Sequence, residues 1–448
     1  MFDKIMKPGE KLKALRNMHH VTQEELAGIS CTKNNISQIE NNKQKLNFNL
    51  AVELIGNLHR IANKKKIEVY LITPEELIKS EDNQANDVFE KNIIKKLKEI
   101  NSIPPFEEKL NEAEKLMGKY CITDNNKIKL YKLASKFYYY KSLYNKNDEM
   151  CDRGLKASIN SQNSLEEAHF YIKRSRNYIM LEEYSRALEQ LGHAEKINNN
   201  INNDELSVNI FYYNALTYKK LCEYDTALKY FKIVDQFEIK DKEMLLKIKM
   251  VYANCLNDYH KFDEAEKEYN ELLKIAIQYE DKDIISLTYK NLAELYFNDK
   301  DYKFAAVYIK QAVECNPKNI YLNETLYFAA TVLKNLDEDI EMYLLDALDI
   351  CEKDDRENLN LVEKILYELV LLYTEREDEE NISIMANKVE ELNINHDLIY
   401  SQFAKYYRCR NGERCEYFLD KSIEKSKKSK KILWNIFFIA ISIIMLQC

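Results

Sequence analysis

Glycine and proline are nearly missing. Seven Gly and five Pro in 448 residues make under 3% of the chain, where ordinary usage is about 12%. Folds built on many tight turns or glycine-rich loops lack their raw material, which disfavours β-sandwiches, barrels and dinucleotide-binding α/β domains. The glycines stand at 9, 28, 56, 118, 154, 192 and 412, never closer than 19 positions apart, so no GxGxxG, P-loop or GxSxG elbow exists. Ten Cys contain no CxxC, and Cys409 and Cys415, the only close pair, have no His beside them. Reduced, cytosolic thiols follow as the expectation. The seven His form neither HxxxH nor HExxH, and the opening MFDKIMKPGE has no apolar signal segment, so zinc hydrolysis and secretion drop out. What is abundant is apolar and aromatic: 46% hydrophobic residues and 32 Tyr describe a packed chain rather than a disordered one.

Charge is divided unevenly. Residues 1–66 hold 12 Lys/Arg against 6 Asp/Glu, a net +6, and the remainder carries −14. A basic head before an acidic body is the electrostatic footprint of a nucleic-acid-binding module joined to a domain that avoids phosphate.

The head has the pattern of short helices around a tight turn. Leu12 and Leu15 share one face of GEKLKALRNM, residues 9–18. Thr22 and Glu25 form a capping box that starts a second helix at Gln23, with Leu26 and Ala27 inward and the turn at Gly28-Ile29-Ser30. Thr32 caps a third helix with Ile36 and Ile39 inward and Lys33, Asn34, Asn35, Ser37 and Gln38 outward, where amide and ammonium groups reach base edges or phosphates in a major groove. TQEELA followed by ISQIEN resembles the XRE-type helix-turn-helix, over about residues 7–66. That resemblance implies that Arg16 and Gln23 contact phosphate or a flanking base, and that Lys33, Asn34, Asn35, Ser37 and Gln38 read the operator. Lys43 joins the expected DNA-binding set. Asn42 stands where the family places Gly, and Asn tolerates the left-handed conformation such a turn needs.

Residues 67–104 are expected to connect head and body. A short extended piece fits 64–76, Pro74 opens a helix at its first position, and SEDNQAND, residues 80–87, is the linker candidate because it lacks an apolar anchor.

The body repeats. Ala187, Ala227, Ala265 and Ala305 are spaced by 40, 38 and 40. Three residues before each stands an aromatic (Tyr184, Tyr224, Phe262, Tyr302), and four after each a large apolar residue (Leu191, Phe231, Tyr269, Ile309). Twelve before are the small Ser175, Ala215, Ala253 and Ala293, followed three later by Tyr178, Tyr218, Leu256 and Tyr296. Small residues let antiparallel helices approach while the aromatics fill the gap to the next pair. This pattern is similar to the tetratricopeptide repeat, with Pro317 after the fourth unit also fitting; a period near 40 in place of 34 implies longer helices. Weaker units are expected near 106, over 130–158, and around Ala347, Ala386 and Cys415. The fold expected is all-α: a helix-turn-helix domain (1–66), connecting helices (67–104), a tetratricopeptide-like solenoid (105–426) and a basic, then apolar C-terminal helix (427–448).

Residues after each small contact should line the inner surface: Ile172, Arg176 and Ile179; Tyr212, Leu216 and Lys219; Met250, Asn254 and Asn257; Lys290, Glu294 and Phe297, with Asn214 and Asn291 adjacent. Amides and charges among apolar groups suit an extended peptide. The peptide-binding set expected is Arg176, Tyr212, Lys219, Asn254, Asn257, Lys290, Asn291 and Glu294. The pairing of modules resembles the RRNPP group of peptide-responsive regulators. It implies a homodimer on double-stranded operator DNA, controlled by a short signalling peptide. No catalytic constellation competes, since acidic pairs such as Glu182 and Glu183 lie on turns without a partner, so neither an enzyme nor a cofactor is expected. The alternative is a helical-repeat scaffold tethered to DNA or membrane, without a small ligand.

After KSKKSKK, residues 432–448 are apolar at 14 of 17 positions and span roughly 25 Å, short of a hydrocarbon core near 30 Å. A tail anchor with its Lys cluster on the cytoplasmic side fits, and so does a last solenoid helix or dimer seam buried all round. The expected location is cytoplasmic, with membrane attachment through this tail left open.

Overall fold

The computed structural model describes residues 4–67, 72–319, 321–353 and 359–428. Every regular element among them is a helix, as the sequence predicts. The chain divides into two compact units, Met1–Glu223 with Lys232–Phe237, and Tyr224–Phe231 with Glu238–Cys448.

The first unit begins with α1 (Pro8–Met18), α2 (Gln23–Ala27), α3 (Lys33–Glu40) and α4 (Phe48–Lys65). Thr22 accepts from the Glu25 amide at 3.2 Å while the Glu25 carboxylate accepts from Thr22 N at 2.7 Å, closing the capping box. Thr32 caps α3 through the Asn35 amide, and Gly28 and Asn42 both turn left-handed, at φ 53° and 54°. Leu12, Leu15, Leu26, Ile36 and Ile39 close over Leu54 and Leu58. This core does not stop at residue 66: Leu77 of α5 (Pro74–Ile78) is fully buried in it. The extended piece expected within 64–76 falls partly on 68–71, outside the described residues.

Residues 80–87 are not a linker. Ser80 caps α6 (Glu81–Val88), and Gln84 and Ala85 are buried. The anchor is polar, which is why an apolar count misses it: Gln84 donates to Met6 O at 2.7 Å and accepts from Met6 N at 3.2 Å. The helix runs on as a π-helical segment, Phe89–Ile94, and then α7 (Lys95–Leu97), with Phe89, Ile93, Ile94 and Leu97 buried.

Antiparallel hairpins follow. In the first unit α8 (Ile103–Lys119) precedes the pair α9 (Asp124–Tyr140) and α10 (Tyr144–Asn160), the pair α11 (Ser164–Met180) and α12 (Tyr184–Ile201), and α13 (Asp204–Lys220). The division between units passes through α14 (Tyr224–Val234). The second unit continues with α15 (Lys242–Asp258), α16 (Phe262–Gln278), α17 (Lys282–Asn298), α18 (Tyr302–Cys315), α19 (Leu322–Lys334), α20 (Glu341–Lys353), α21 (Leu359–Glu375), α22 (Glu379–Glu391), α23 (Asp397–Tyr407) and α24 (Gly412–Lys428). Many of these helices are 17 residues long, about 26 Å, which accounts for the stretched period. All eight small positions, Ser175, Ala215, Ala253, Ala293, Ala187, Ala227, Ala265 and Ala305, have no exposed surface.

The same left-handed closure joins the helices of successive hairpins. Ser142, Glu182, Cys222, His260 and Lys300 have φ between 55° and 65°. The next amide in each turn donates back to the preceding helix, to the carbonyls of Tyr138, Tyr178, Tyr218, Leu256 and Tyr296, each at 2.9 Å. These bonds satisfy carbonyls that a helix end otherwise leaves orphaned. Five turns that favour Gly are thus made by other residues, which reconciles tight hairpins with so little glycine.

The expectation of membrane attachment is corrected. Among the described residues no helix is long and apolar enough to cross a membrane, and 432–448, on which that expectation falls, lies outside them.

Candidate DNA-reading and ligand-binding surfaces

In the head, burying Ile36 and Ile39 turns the opposite face of α3 outward. Lys33, Asn34 and Gln38 are exposed, Asn35 and Ser37 half-buried, and Lys43 is exposed just beyond the helix. Among the described residues Lys33 meets only the exposed Glu24, at 4.0 Å, and Asn35 is engaged locally, accepting from the Thr32 hydroxyl at 2.6 Å. Arg16 and Gln23 have an internal role. Arg16 grips the Glu40 carboxylate through Nε at 2.6 Å and Nη2 at 3.1 Å and donates to Val21 O at 2.9 Å, and Gln23 Nε2 donates to Glu40 at 2.8 Å. The Glu40 side chain is 1% exposed. A buried carboxylate demands such partners, so these two side chains fix the α1–α2–α3 arrangement. The Glu25 carboxyl, hydrogen-bonded by Lys65 and by the backbone of Thr22, has its pKa held down to about 2.

In the first unit, α9 packs on α11 and α11 on α13, so the first helices of successive hairpins form an inner layer. Ile172 and Ile179 are buried and Leu216 half-buried on this face. Arg176 is half-buried, its guanidinium 4.5 Å from the Tyr139 ring and 5.6 Å from the Tyr213 ring. Tyr212 is fully buried and meets Tyr213 edge-on at 4.9 Å. Asn214 turns back to its own helix, donating to Ile210 O at 3.0 Å. Lys219 is half-buried.

The weaker unit expected over 130–158 is the hairpin of α9 and α10, and α9 adds inner-face residues that the expected set lacks. Forty residues before Ile172, Arg176 and Ile179 stand Lys132, Lys136 and Tyr139, on the same stripe. Tyr138 and Ser135, both buried, continue the registers of Tyr178 and Ser175. The alanine register breaks in this unit: Asn147 stands 40 residues before Ala187. Asn147 is buried and donates to Asn177 Oδ1 at 3.0 Å, while Asn177 donates to Tyr144 O at 3.0 Å. A polar pair takes the place of the small apolar contact. Lys132 pairs with Glu166 at 2.7 Å. The pKa of Lys173 is pushed down to about 8, first by burial and then by the charges of Arg176, Lys132 and Lys136.

In the second unit, α15 packs on α17. Asn254 Oδ1 accepts from Tyr269 OH at 2.7 Å and from Asn291 Nδ2 at 2.9 Å, and Asn291 also contacts Met250 Sδ at 3.0 Å. The Asn254 oxygen is therefore doubly occupied. Asn257 is buried, and among the described residues its Oδ1 has no hydrogen-bond partner. Lys290 lies 3.6 Å from Glu324, Glu294 is exposed, and Phe297 packs edge-on against Tyr302 and Phe328. The inner stripe thus combines amides, a paired cation and apolar surface.

No family model matches the sequence, and no curated protein matches it closely. Among solved structures the chain is similar to a Rap protein complexed with competence and sporulation factor, at 14% identity over 88% of this chain and 100% of that one, with a TM-score of 0.43. It is similar to the apo form of the quorum sensor NprR from B. thuringiensis, at 16% identity over 76% and 97% of the two chains, TM-score 0.46. It is also similar to a signal transduction ATPase with a tetratricopeptide repeat sensor from Pyrococcus horikoshii, at 13% identity over 97% of this chain and 64% of that one, TM-score 0.47. At these identities no residue's role passes from those chains to this one.

Proposed function

We propose that this chain is a DNA-binding regulator whose helical-repeat body takes a short extended peptide and thereby changes its hold on an operator. The observation that carries the reading is the polar face of α3. Glu40 locks the head through Arg16 and Gln23, while Lys33, Asn34 and Gln38 face solvent with no structural task beyond the loose approach of Lys33 to Glu24. Such side chains on a helix following a tight turn suit base edges. A repeat body with Arg176, Asn254 and Asn257 on its inner stripes supplies donors and acceptors for a peptide backbone. A homodimer would set the spacing of two heads on the operator.

The test is a gel shift on DNA from the chain's own promoter with Lys33→Ala/Gln38→Ala protein. Binding should weaken by about 1–3 kcal/mol for each side chain that reads a base edge well, and unchanged affinity rejects α3 as the reader. Peptides from adjacent small reading frames are then titrated by calorimetry with and without operator, against wild type and Asn254→Ala. Coupling must be reciprocal: a peptide that loosens DNA binds less tightly when DNA is present. If no peptide alters DNA affinity, the body serves instead as a protein-docking scaffold held on DNA.

A further inference from the structure

Carboxylates hold many of this protein's arginines. Arg16 has Glu40, Arg153 has Glu114 and Glu149, Arg174 has Asp148, Arg186 has Glu183, Arg376 has Asp339 and Glu341, and Arg410 has Glu377. Arg176, deeper than most of these, has no carboxylate among the described residues. Among the described residues its buried Nε has no hydrogen-bond partner, and its guanidinium lies 4.5 Å from the ring of Tyr139, to which it also hydrogen-bonds, and 5.6 Å from the Tyr213 ring. Two further cations share its face. Lys173 lies one turn away on α11, and Lys136 on α9 sits 5.8 Å from the Tyr140 ring. Among the described residues neither has a carboxylate within ion-pair reach, while Lys132 beside them is already paired with Glu166.

We propose that the inner face of α9, α11 and α13 is a carboxylate-binding subsite for a short peptide, with Arg176 as the central ligand and Lys136 and Lys173 flanking it. The proposal rests on the peptide-taking body inferred above and names the chemical group it recognises. Three cations gathered on one helix layer repel one another, and the lowered Lys173 pKa, set first by burial and then by the charges of Arg176, Lys132 and Lys136, relieves part of that repulsion. An anion removes the rest. The fork of a guanidinium matches a planar carboxylate in two parallel bonds. The two tyrosine rings hold that fork in place and screen it from water. Tyr139 and Leu216, half-buried, and the exposed Tyr140 leave apolar surface on α9 and α13 for the rest of a peptide, which a bare phosphate would leave uncovered. The carboxylate can come from the peptide's C-terminus or from an Asp or Glu side chain.

The full chain, immobilised, is challenged with four randomised hexapeptide pools: C-terminal acid or amide, each with or without Asp and Glu. The expected result is about tenfold greater retention of a carboxylate-bearing pool over the amide pool lacking Asp and Glu, the ratio equivalent to ~1.4 kcal/mol. The advantage should fall away in Arg176→Gln, Lys173→Met and Lys136→Ala. Of the two pools that hold a single kind of carboxylate, the acid pool lacking Asp and Glu and the amide pool containing them, the one that carries it identifies the source. Lys136 is exposed, so its variant reports even if the other two fail to keep their helical circular dichroism. Equal retention of all four pools, retention of none, an advantage that survives all three substitutions, or displacement by equimolar inorganic phosphate overturns the proposal. No DNA enters this measurement. A carboxylate-dependent peptide that leaves operator binding unchanged sinks the regulatory switch and keeps the subsite; an amidated peptide that switches DNA does the reverse.

Discussion

The Lys11 ammonium lies 2.6 Å from the carbonyl oxygen of Glu76, and it also donates to Lys79 O at 3.2 Å. Lys11 is 1% exposed, and burial lowers its pKa. A cation from α1 thus satisfies carbonyls at the end of α5, beyond the point where the sequence suggests the head stops. A fragment of residues 1–79 should therefore be more stable than one of residues 1–66, which lacks this cap and the buried Leu77. That leucine alone contributes roughly 1.5–3 kcal/mol. Equal melting temperatures for the two fragments would show that α5 adds nothing to the head.

Arg16 and the outer residues of α3 should separate in experiment. Arg16→Ala leaves the buried Glu40 without its main partner and should destabilise the head by roughly 3 kcal/mol. Lys33→Ala and Gln38→Ala should melt within about 0.5 kcal/mol of wild type while losing operator affinity. Arg16→Ala protein that melts like wild type but binds DNA poorly would return Arg16 to the DNA interface.

The left-handed turns offer a gain. An L-residue in this conformation costs roughly 1–2 kcal/mol, and Gly gives back part of that advantage through its freer unfolded chain. Glu182→Gly, His260→Gly and Lys300→Gly should each stabilise by about 0.5 kcal/mol. A lower melting temperature for all three would mean these side chains hold interactions worth more than the strain.

Gly154 is the opposite case. A Cβ there would collide with the ring of the buried Phe170, at Cζ and both Cε atoms. Better helix propensity favours Ala by up to about 1 kcal/mol, but overpacking costs about 1–3 kcal/mol, so Gly154→Ala should destabilise. Adding Phe170→Leu should recover part of the loss. Strictly additive effects in this double-mutant cycle would exclude the collision.

Lys173 gives a pH signature. Its pKa of about 8 in the folded chain lies below the ordinary 10.5, so between these values the unfolded state binds more protons and stability rises with pH. Below pH 8 both states are charged and the full burial penalty applies. Lys173→Met should therefore raise stability near neutral pH and flatten the rise between pH 8 and 10.5. An unchanged slope would place the ammonium in water.

Much of the repeat is legible because what defines it is packing. Ala187, Ala227, Ala265 and Ala305 report close helix approach by being small, and spacing alone aligns them. What escapes is wherever polar chemistry replaces size. Asn147 and Asn177 hide the register of α9 and α10 behind a side-chain hydrogen bond, and Gln84 anchors α6 through the backbone of Met6. The caps at Thr22 and Thr32 are legible because their partners are three residues away. Arg16 and Gln23 meet at Glu40, which is 24 and 17 positions distant, and nothing local announces that meeting. The pairing of Asn254 with Tyr269 and Asn291 is hidden for the same reason, since it crosses three helices.

The π-helical segment at Phe89–Ile94 acts on helical phase. Ala85, Phe89, Ile93 and Leu97 are all buried, yet residues four apart on an α-helix rotate by about 40° at each step, enough to carry the last of them well off the face of the first. Widening the turn over six residues winds the chain back and keeps all four pointing at one core. The segment is in effect one spare residue taken up within a helix. Because the spare residue is absorbed there, deleting one exposed residue of the segment, Lys91 or Asn92, would return it to ordinary α-helix and leave Leu97 facing the same core, a loss that the downstream chain would not feel as a frameshift.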